Sequence, residues 1–422
     1  MAYIGKTPTP APLTSSDVTD GIITTAKIAD GIEVVDWQSV ETGATFTAVA
    51  GNGYPVNTTA QACTVTLPAG SVGDTIQLVD YAGTWDTNAV TLTADGSEKI
   101  KGLTLDVAMD GEREAVTITY VDATQGWITT SAANETAPAI QPPGYDVEYL
   151  IVGAGGGGGF SSGGSGGGGG GGAGGYRTNY DGTAVELRGG TTYTVTVGGG
   201  GAGGTSGAGT NGGDSSLSGT GITTITSTGG GAGSGMSSGG GEDGGSGGGG
   251  DGASSSAGGS GNTPSTTPSQ GNDGGSAGNG GGGGGGATAV GANASVNVPG
   301  AGGNGTAVSI TGSSVTYAGG GGGGAYSTSS GQAVASGGGG RGGNGNGNGS
   351  ITGGTDGLGG GGGGAGGGSG TNNGAIGGDG TVILRMADGD AGTPSGEDSV
   401  ATDVGGSGET VITWIATGSY VG

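Results

Sequence analysis

Runs of consecutive glycines constrain this chain more than any other feature of its sequence. Of its 122 glycines, 100 lie between residues 145 and 386, against 14 before this region and 8 after it. The runs stand at 155–159, 166–172, 198–201, 247–250, 280–286, 319–324, 337–340 and 359–364. They do not follow the every-third-residue period of collagen. Two structures remain to be weighed, a flexible Gly/Ser coil and an ordered array of glycine helices.

Backbone entropy argues for the coil, and the flanking residues argue for the array. Ordering one glycine costs about 1–2 kcal/mol. Extended threefold helices of polyproline-II geometry make no internal hydrogen bonds, so neighbouring glycine helices can bond to one another, at about 0.5–1.5 kcal/mol a bond. Such an array needs its ends fixed. Apolar strand patterns open and close the region at Asp146–Val152 and Thr381–Met386, and aromatic residues stand beside the runs at Tyr149, Phe160, Tyr176 and Tyr317. This frame favours the array.

A different pattern fills about residues 34–135. β-branched residues alternate with period two at 64–68, 75–79, 90–93 and 115–121, and Gly-Asp, Asp-Gly and Asn-Gly pairs separate the segments. This pattern predicts short antiparallel strands and a small antiparallel sandwich. Trp37, Trp85 and Trp127 are three of the four tryptophans of the chain. We expect them to fill the thin core of this domain and not to bind a ligand.

The composition divides the chain into five segments. We expect a virion-attachment segment at 1–33, a β-sandwich spacer at 34–135, a Pro-rich linker at 136–144, the glycine-rich region at 145–386, and an acidic C-terminal segment with a terminal strand at 387–422. The predicted fold class is an all-β N-terminal domain followed by a glycine-rich domain of packed polyglycine-II helices. Short strands frame those helices, and essentially no α-helix is expected.

Charge and cysteine content exclude several functions. The net charge is −25, from 34 acidic and 9 basic residues, which excludes a general nucleic-acid binder. With no histidine and one cysteine, Cys63, the chain has no disulfide framework, Cys/His zinc site or histidine-based triad. We expect no cofactor and no metal. The N-terminus has no apolar signal-peptide stretch and no apolar run approaches the ~18 residues of a membrane span, so a soluble protein is expected.

Three motifs favour a structural interpretation over a chemical one. Residues 153–158 match G-x-G-x-x-G after a strand pattern, but no helix pattern follows to hold a dinucleotide. Asp243, Asp251, Asp273 and Asp356 lack the nine-residue period of a calcium β-roll, although isolated calcium binding by Asp/Asn loops stays open. Only 11 acidic residues stand among the 242 of the glycine-rich region, and no carboxylate pair for glycan cleavage can be read from them. The chain is expected not to be an enzyme.

Several sequence blocks resemble a known protein class. DVEYLIVGAGGGGG, YTVTVGGGGAGG, GNTPSTTPSQGNDGG, SSVTYAGGGGGG and GGDGTVILR resemble, in this order, the glycine-rich domain of bacteriophage tail-fibre and adhesin proteins. MAYIGKTP with DGIITTAKIADGI resembles the virion-attachment end of phage fibres, and YPVNTTAQACTVTLPAGSVGDTIQLVDYAGTW resembles a fibre β-domain. The resemblance implies a sandwich of polyglycine-II helices whose distal loops bind a host receptor. It does not identify the contacting residues.

The polar interruptions of the glycine runs are therefore the candidate receptor-contact loops. They stand at 160–165, 234–243, 262–273, 290–299, 326–334 and 342–352. The candidate residues within them are Phe160, Met236, Glu242, Asp243, Asn262, Thr263, Gln270, Asn272, Asn293, Asn297, Tyr326, Gln332 and Asn346. The alternative for each loop is a mere turn between glycine helices. Candidate virion-attachment residues are Tyr3, Ile4 and Lys6.

The sequence thus predicts a phage tail fibre that recognises a host-surface glycan or outer-membrane protein without covalent chemistry. Other virion proteins, bound through residues 1–33, and a homotrimeric assembly are the expected partners. Two alternatives remain open. One is a purely structural fibre that decorates the capsid or tail and has no dedicated receptor. The other is a glycan depolymerase.

Overall fold

A computed structural model describes residues 35–131, 142–162, 164–236, 238–296, 298–326, 336–345, 349–368 and 370–422. The chain divides into two compact units, Met1–Pro143 and Gly144–Gly422. Among the described residues, 3-10 turns at Asp388–Asp390 and Val404–Gly406 are the helical elements and no α-helix occurs. None of the described segments forms a helix long and apolar enough to cross a membrane. The predicted all-β fold class is confirmed.

The first unit packs two sheets face to face. Its strands are β1 (Asp36–Trp37), β2 (Thr45–Thr47), β3 (Asn52–Val56), β4 (Cys63–Thr66), β5 (Thr75–Asp80), β6 (Val90–Thr93), β7 (Val107–Met109), β8 (Ala115–Asp122) and β9 (Gly126–Ser131). One sheet has the order β1-β3-β5-β8-β9 and the other β2-β4-β6-β7. The period-two segments of the sequence correspond to β4, β5, β6 and β8.

The expectation that these strands are antiparallel is wrong for the first six. Odd-numbered strands enter one sheet and even-numbered strands the other, so β1, β3 and β5 pair in parallel, as do β2, β4 and β6. Antiparallel pairing begins with β5–β8, β6–β7 and β8–β9. Period-two alternation reports which face of a strand is buried. It carries no information on the direction of the neighbouring strand.

A single apolar cluster fills the space between the two sheets. Trp85 and Trp127 are fully buried in it, together with Leu67, Ile76 and Ile118. The side chain of Trp37 lies on the edge strand β1 and is 53% exposed, so its assignment to the core was wrong. A strand of two residues at the sheet edge has too little neighbouring surface to cover an indole ring.

The second unit frames its glycine runs with strands. These are β10 (Gly144–Val152), β11 (Ser161–Ser162), β12 (Tyr176–Thr178), β13 (Val185–Arg188), β14 (Thr192–Thr196), β15 (Ser215–Gly219), β16 (Ile225–Ser227), β17 (Thr306–Val308), β18 (Val315–Tyr317), β19 (Thr371–Asn372), β20 (Thr381–Ala387), β21 (Thr393–Ser395), β22 (Ser399–Ala401), β23 (Glu409–Trp414) and β24 (Gly418–Val421).

The first and last strands of this unit meet in one sheet. β10 pairs with β20, and β20 pairs with β23. The final strand, β24, pairs with β14 in a second sheet. Buried side chains between these sheets include Val147, Leu384, Trp414 and Tyr420. Residues from both ends of the unit therefore build the core that supports the glycine runs.

The glycine runs form hydrogen-bonded columns with a period of three residues. In the column 153–160, Gly155 and Gly158 donate their N–H groups to Gly378 and Ala375 (2.9 and 2.8 Å), while Gly156 donates to Gly172 (2.9 Å). Residues three apart thus bond the same neighbour, and adjacent residues bond different ones. Column 153–160 shares backbone bonds with six columns, at 167–175, 198–204, 207–213, 228–235, 359–367 and 374–380. This packing leaves the column fully enclosed.

Close packing of the columns explains why the runs consist of glycine. A Cβ atom built on Gly171 would lie 2.0 Å from the carbonyl oxygen of Gly156, and one on Gly158 would lie 2.0 Å from that of Gly363. Distances this short are incompatible with any side chain. Ala154 and Ala173 are fully buried in the same columns, so a methyl group is accommodated at particular positions.

Candidate functional site

The columns run back and forth between two ends of the second unit. One end carries the sheets and the point at which the chain enters the unit at Gly144; we call it the strand end. The chain leaves this end along β10 and column 153–160, turns, and returns along column 167–175. We call the opposite end the loop end. Its described segments include 161–162, 164–166, 205–209, 236, 238–240, 253–257, 277–280, 294–296, 298, 326, 343–345, 349–350 and 370–373.

Contacts between these segments show that they form one surface. Ser161–Ser162 pairs with Thr371–Asn372 as β11 and β19. The hydroxyl groups of Ser162 and Ser165 lie 3.2 and 2.8 Å from the sulfur of Met236. Phe160 donates its N–H to the carbonyl of Gly207 at 2.9 Å. Connections that are far apart in sequence are therefore neighbours at the loop end.

The surface of the loop end is small, polar and uncharged. Its exposed side chains include Thr205, Ser206, Ser254, Ser255, Thr371 and Asn373. Val296 and Val298 add apolar area, at 66% and 63% exposure. The connecting segments contain no Asp, Glu, Lys or Arg in their sequence, although the whole chain has a net charge of −25. Contacts made here would rest on hydrogen bonds and short apolar side chains.

A buried carboxylate organises one part of this end. Asp251 is 1% exposed, and its oxygens accept hydrogen bonds from the N–H groups of Ala253 and Ser254 and from the hydroxyls of Ser234 and Ser256, at 3.0–3.1 Å. Four donors compensate the burial of the charge. Asp251 thereby fixes the turn 252–256 to the column 228–235 and faces away from solvent.

The candidate receptor-contact residues are divided between several places. Phe160, Met236 and Tyr326 lie at or next to the loop end, but Phe160 is buried at 7% exposure, and the other two are half-buried. Asn293 is exposed on the flank, where its side-chain oxygen accepts from the N–H of Ser276 at 2.8 Å. Asn297, Gln332 and Asn346 lie outside the described residues, as do Tyr3, Ile4 and Lys6.

The loop 262–270 lies at the strand end and not at the loop end. Gln270 is fully buried there, where its side chain accepts from the N–H of Thr228 (2.9 Å) and donates to the carbonyl of Pro264 (2.9 Å). Asn262 accepts hydrogen bonds from the N–H and hydroxyl of Thr266, both at 3.0 Å. Thr263 is exposed in this loop. The amide groups of Asn262 and Gln270 therefore hold the loop together.

Three further candidates lie on the flanks of the columns. Asn272 donates to the carbonyls of Gly286 and Ala287 at 2.9 and 3.0 Å. Glu242 and Asp243 are exposed, and the carboxylate of Asp243 accepts from the N–H of Ser260 at 2.6 Å. Asn272 and Asp243 bond to the backbone of neighbouring columns and stand away from the loop end.

Sequence reasoning missed the exposed residues Thr205, Ser206, Ser254, Ser255, Thr371 and Asn373. A signal for them existed. A chain that runs outward and returns places every second interruption of its glycine runs at the same end. Counting alternate interruptions from 161–166 therefore indicates the end for the earlier connections. The count fails after column 319–325, because column 336–343 runs in the same direction: Gly319, Gly322 and Ala325 donate to Gly337, Gly340 and Gly343.

Two of the cavities formed by the described residues lie at the strand end. One of about 370 Å³ is lined by Tyr149, Asn179, Glu186 and Ile222 among others, and one of about 380 Å³ by Tyr176, Tyr180 and Asp181 among others. Each has a single carboxylate in its lining. Within the described parts of the chain, no group of three or more His, Cys, Asp or Glu side chains is placed to hold a metal ion.

Comparison with known proteins assigns the glycine columns to a family. Residues 129–387, more than half of the chain, match the family model "Glycine-rich domain". The chain belongs to this family. Residues 23–139 match a second model, "Bacteriophage T4 gp9/10-like protein, N-terminal". The protein is thus a phage tail fibre-like protein with a glycine-rich domain, and its location is the virion tail.

One curated relative is similar over a short stretch. It is the baseplate wedge protein gp10 of Enterobacteria phage T4, which is 36% identical over 75 residues. These residues are 17% of this chain and 12% of the relative. The similarity therefore spans about an eighth of the relative's length.

Proposed function

We propose that this tail protein is an adhesin whose loop end binds a receptor on the host surface without covalent chemistry. The observation that carries the proposal is that connections far apart in the sequence lie together on one surface, at the end of the second unit away from the chain entry at Gly144. Loops on a rigid scaffold are a common arrangement for binding. Weak contacts repeated over several copies of a fibre would sum to useful avidity.

The proposal extends to the assembly of the protein. Residues 1–33 would attach it to other virion proteins, with Tyr3, Ile4 and Lys6 as candidate contacts, and the fibre would be a homotrimer. The receptor would be contacted by the exposed side chains of the loop end, which are Thr205, Ser206, Ser254, Ser255, Thr371 and Asn373. A host glycan and an outer-membrane protein are both compatible with an uncharged polar surface.

We also propose that the glycine columns are polyglycine-II helices. Two observations support this assignment: the period of three residues in the backbone hydrogen bonds and the six neighbours of column 153–160. Polyproline-II geometry has the same threefold period. Fibre diffraction or vibrational circular dichroism of the intact protein would test this assignment.

The protein is proposed not to be an enzyme. Cleavage of glycans needs two carboxylates on either side of the scissile bond. Each cavity at the strand end has one carboxylate, and the exposed loop segments have none. Release of reducing sugar from host envelopes by the purified protein would instead favour the depolymerase alternative.

Competition for adsorption tests the adhesin. The intact protein in excess should slow adsorption of the phage to its host. Thr205→Glu with Ser206→Glu, which puts two charges on the loop end, should weaken this competition. The matched control is Thr223→Glu with Thr224→Glu, at an exposed turn of the strand end. Equal competition by both pairs would exclude the loop end as the binding surface, and no competition by the unmodified protein would favour the purely structural fibre.

A further inference from the structure

Column 228–235 lies at the flank of the glycine array and lacks one of the six neighbours that an enclosed column has. Column 228–235 shares backbone bonds with five columns, at 153–160, 167–175, 207–213, 241–245 and 246–252. Its N–H groups divide into three sets by the period of three. Gly230 and Gly233 donate to column 153–160, and Gly231 and Ser234 donate to column 246–252. The third set, Gly229 and Ala232, points to the position where a sixth column would lie.

Side chains occupy that open position. The carboxylate of Asp214 accepts the N–H of Gly229 at 2.9 Å, and the side-chain oxygen of Asn211 accepts the N–H of Ala232 at 2.8 Å. The amide of Asn211 also donates to the carbonyl of Asp243 at 3.3 Å. It thus reaches over column 228–235 from one side to the other. Asn211 and Asp214 are both exposed.

The same arrangement recurs around the array. On other flank columns, backbone N–H groups also donate to side-chain oxygens: Gly200 to Asp379 (2.7 Å), Gly261 to Asp273 (2.8 Å) and Ser276 to Asn293 (2.8 Å). Each acceptor takes the place of a carbonyl that a further glycine column would supply. An uncapped column would present unpaired N–H groups at regular spacing, as an open β-sheet edge does.

We propose that the flank at column 228–235 is a latent self-association surface, closed by Asn211 and Asp214. We call these two side chains the caps. When the caps are removed, a glycine column of a second copy of this chain binds in the open position. The glycine packing itself supplies the argument, because the open position already has the spacing and the donors that every enclosed column uses. The caps supply the acceptors, and Asp214 adds a charge that a second copy would have to desolvate.

The test is the mass of the intact protein in solution, measured against concentration by sedimentation velocity. The unmodified protein keeps its native mass. Asn211→Ala with Asp214→Ala should add association, with roughly a doubling of the mass or open-ended growth. Asp214→Asn keeps an acceptor and should keep the native mass. Asp398→Ala, which removes an exposed carboxylate from the C-terminal segment outside the columns, is the matched control and should not associate.

Amide hydrogen exchange in 228–235 gives a second measurement on the same proteins. At dilutions where the double variant is unassociated, exchange there should be faster than in the unmodified protein, and association should slow it again. If the double variant does not fold, Asp214→Ala alone replaces it. A folded variant that keeps its native mass at all concentrations, or association by Asp398→Ala to the same degree, would overturn the proposal. Neither result depends on receptor binding.

Discussion

At the scale of single residues, amide and carboxylate side chains mainly satisfy backbone groups. Gln270 is fully buried and bonds to Thr228 and Pro264, and Asp251 accepts four hydrogen bonds. A glycine column has no side chains to complete its own hydrogen bonding. Buried polar groups without partners are costly, so the scarce polar side chains of this unit are used as acceptors and donors for the columns.

Cys63 is the one cysteine of the chain, and it is buried in the first unit. Burial raises the pKa of its thiol to about 11, and the nearby charge of Glu41 acts in the same direction. Because the thiolate is the reactive form, we expect a thiol reagent at pH 8 to modify the folded protein roughly 10²-fold more slowly than the unfolded protein.

Ellman's reagent measures both rates, without and with denaturant, and Cys63→Ser supplies the blank. Equal rates in the two conditions would contradict the burial of the thiol. Since no other cysteine contributes to the signal, the measurement reports on the first unit alone.

Arg385 joins two strands and a loop in the second unit. Its guanidinium forms an ion pair with Glu409 and donates to the carbonyl of Ile310 at 3.0 Å. The hydrogen bond from Arg385 lowers the pKa of Glu409, with a smaller effect from Ser407. A carboxylate with a lowered pKa in the folded state stabilises the fold above its unfolded pKa of about 4.3, and this contribution disappears as the pH falls through the folded value.

Glu409→Gln should therefore lower the free energy of unfolding at pH 7 by about 1 kcal/mol, since the side chain of Glu409 is one-third exposed and solvent screens the pair. The difference from the unmodified protein should begin to shrink near the unfolded pKa of about 4.3 and be lost as the pH falls through the lowered pKa of the folded state. Thermal melts over this pH range measure it. Glu397→Gln, at an exposed carboxylate of the same segment, is the control, and a pH-independent difference would contradict the assignment.

At the scale of elements, the identity of the column residues is set by close packing. Gly171 lies in column 167–175, where a Cβ atom would stand 2.0 Å from the carbonyl oxygen of Gly156. The neighbouring atom is backbone, which cannot move aside without breaking further hydrogen bonds. Gly389 lies in a 3-10 turn, where a Cβ atom would meet nothing within 4 Å.

Gly171→Ala should consequently destabilise the second unit by about 3 kcal/mol, and Gly389→Ala should stay within about 0.5 kcal/mol of the unmodified protein. Differential scanning calorimetry compares the two. A Gly171→Ala protein as stable as the Gly389→Ala protein would show that the columns can separate without cost, and the packing described above would then be wrong.

At the scale of the whole molecule, the end of the chain completes the second unit. β23 pairs with β20, and β24 pairs with β14. Trp414 is fully buried between the sheets, and its indole N–H donates to the carbonyl of Ser395 at 3.2 Å. The glycine columns begin and end on these sheets. By holding the strand end of the array, the sheets offset part of the backbone entropy cost of ordering the columns.

Deletion of residues 409–422 should therefore unfold the glycine columns and leave the first unit folded. Calorimetry of the unmodified protein should show separate transitions for the two units, and the deletion should remove one of them. Trp414→Ala is a milder variant, with an expected loss of about 3–5 kcal/mol from the second unit. Survival of both transitions after the deletion would contradict this dependence.

The sequence by itself determined which segments of this protein form strands and which form packed glycine columns. Period-two alternation located most strands, because a half-buried strand exposes every second residue. Glycine runs between apolar strands indicated an ordered array, because only glycine permits such close approach. The tertiary structure decided what no local pattern encodes: the parallel pairing of β1–β6, the exposure of Trp37, and the end at which each connection lies. Those depend on which segments become neighbours, and backbone hydrogen bonds between glycines are the same whichever columns they join.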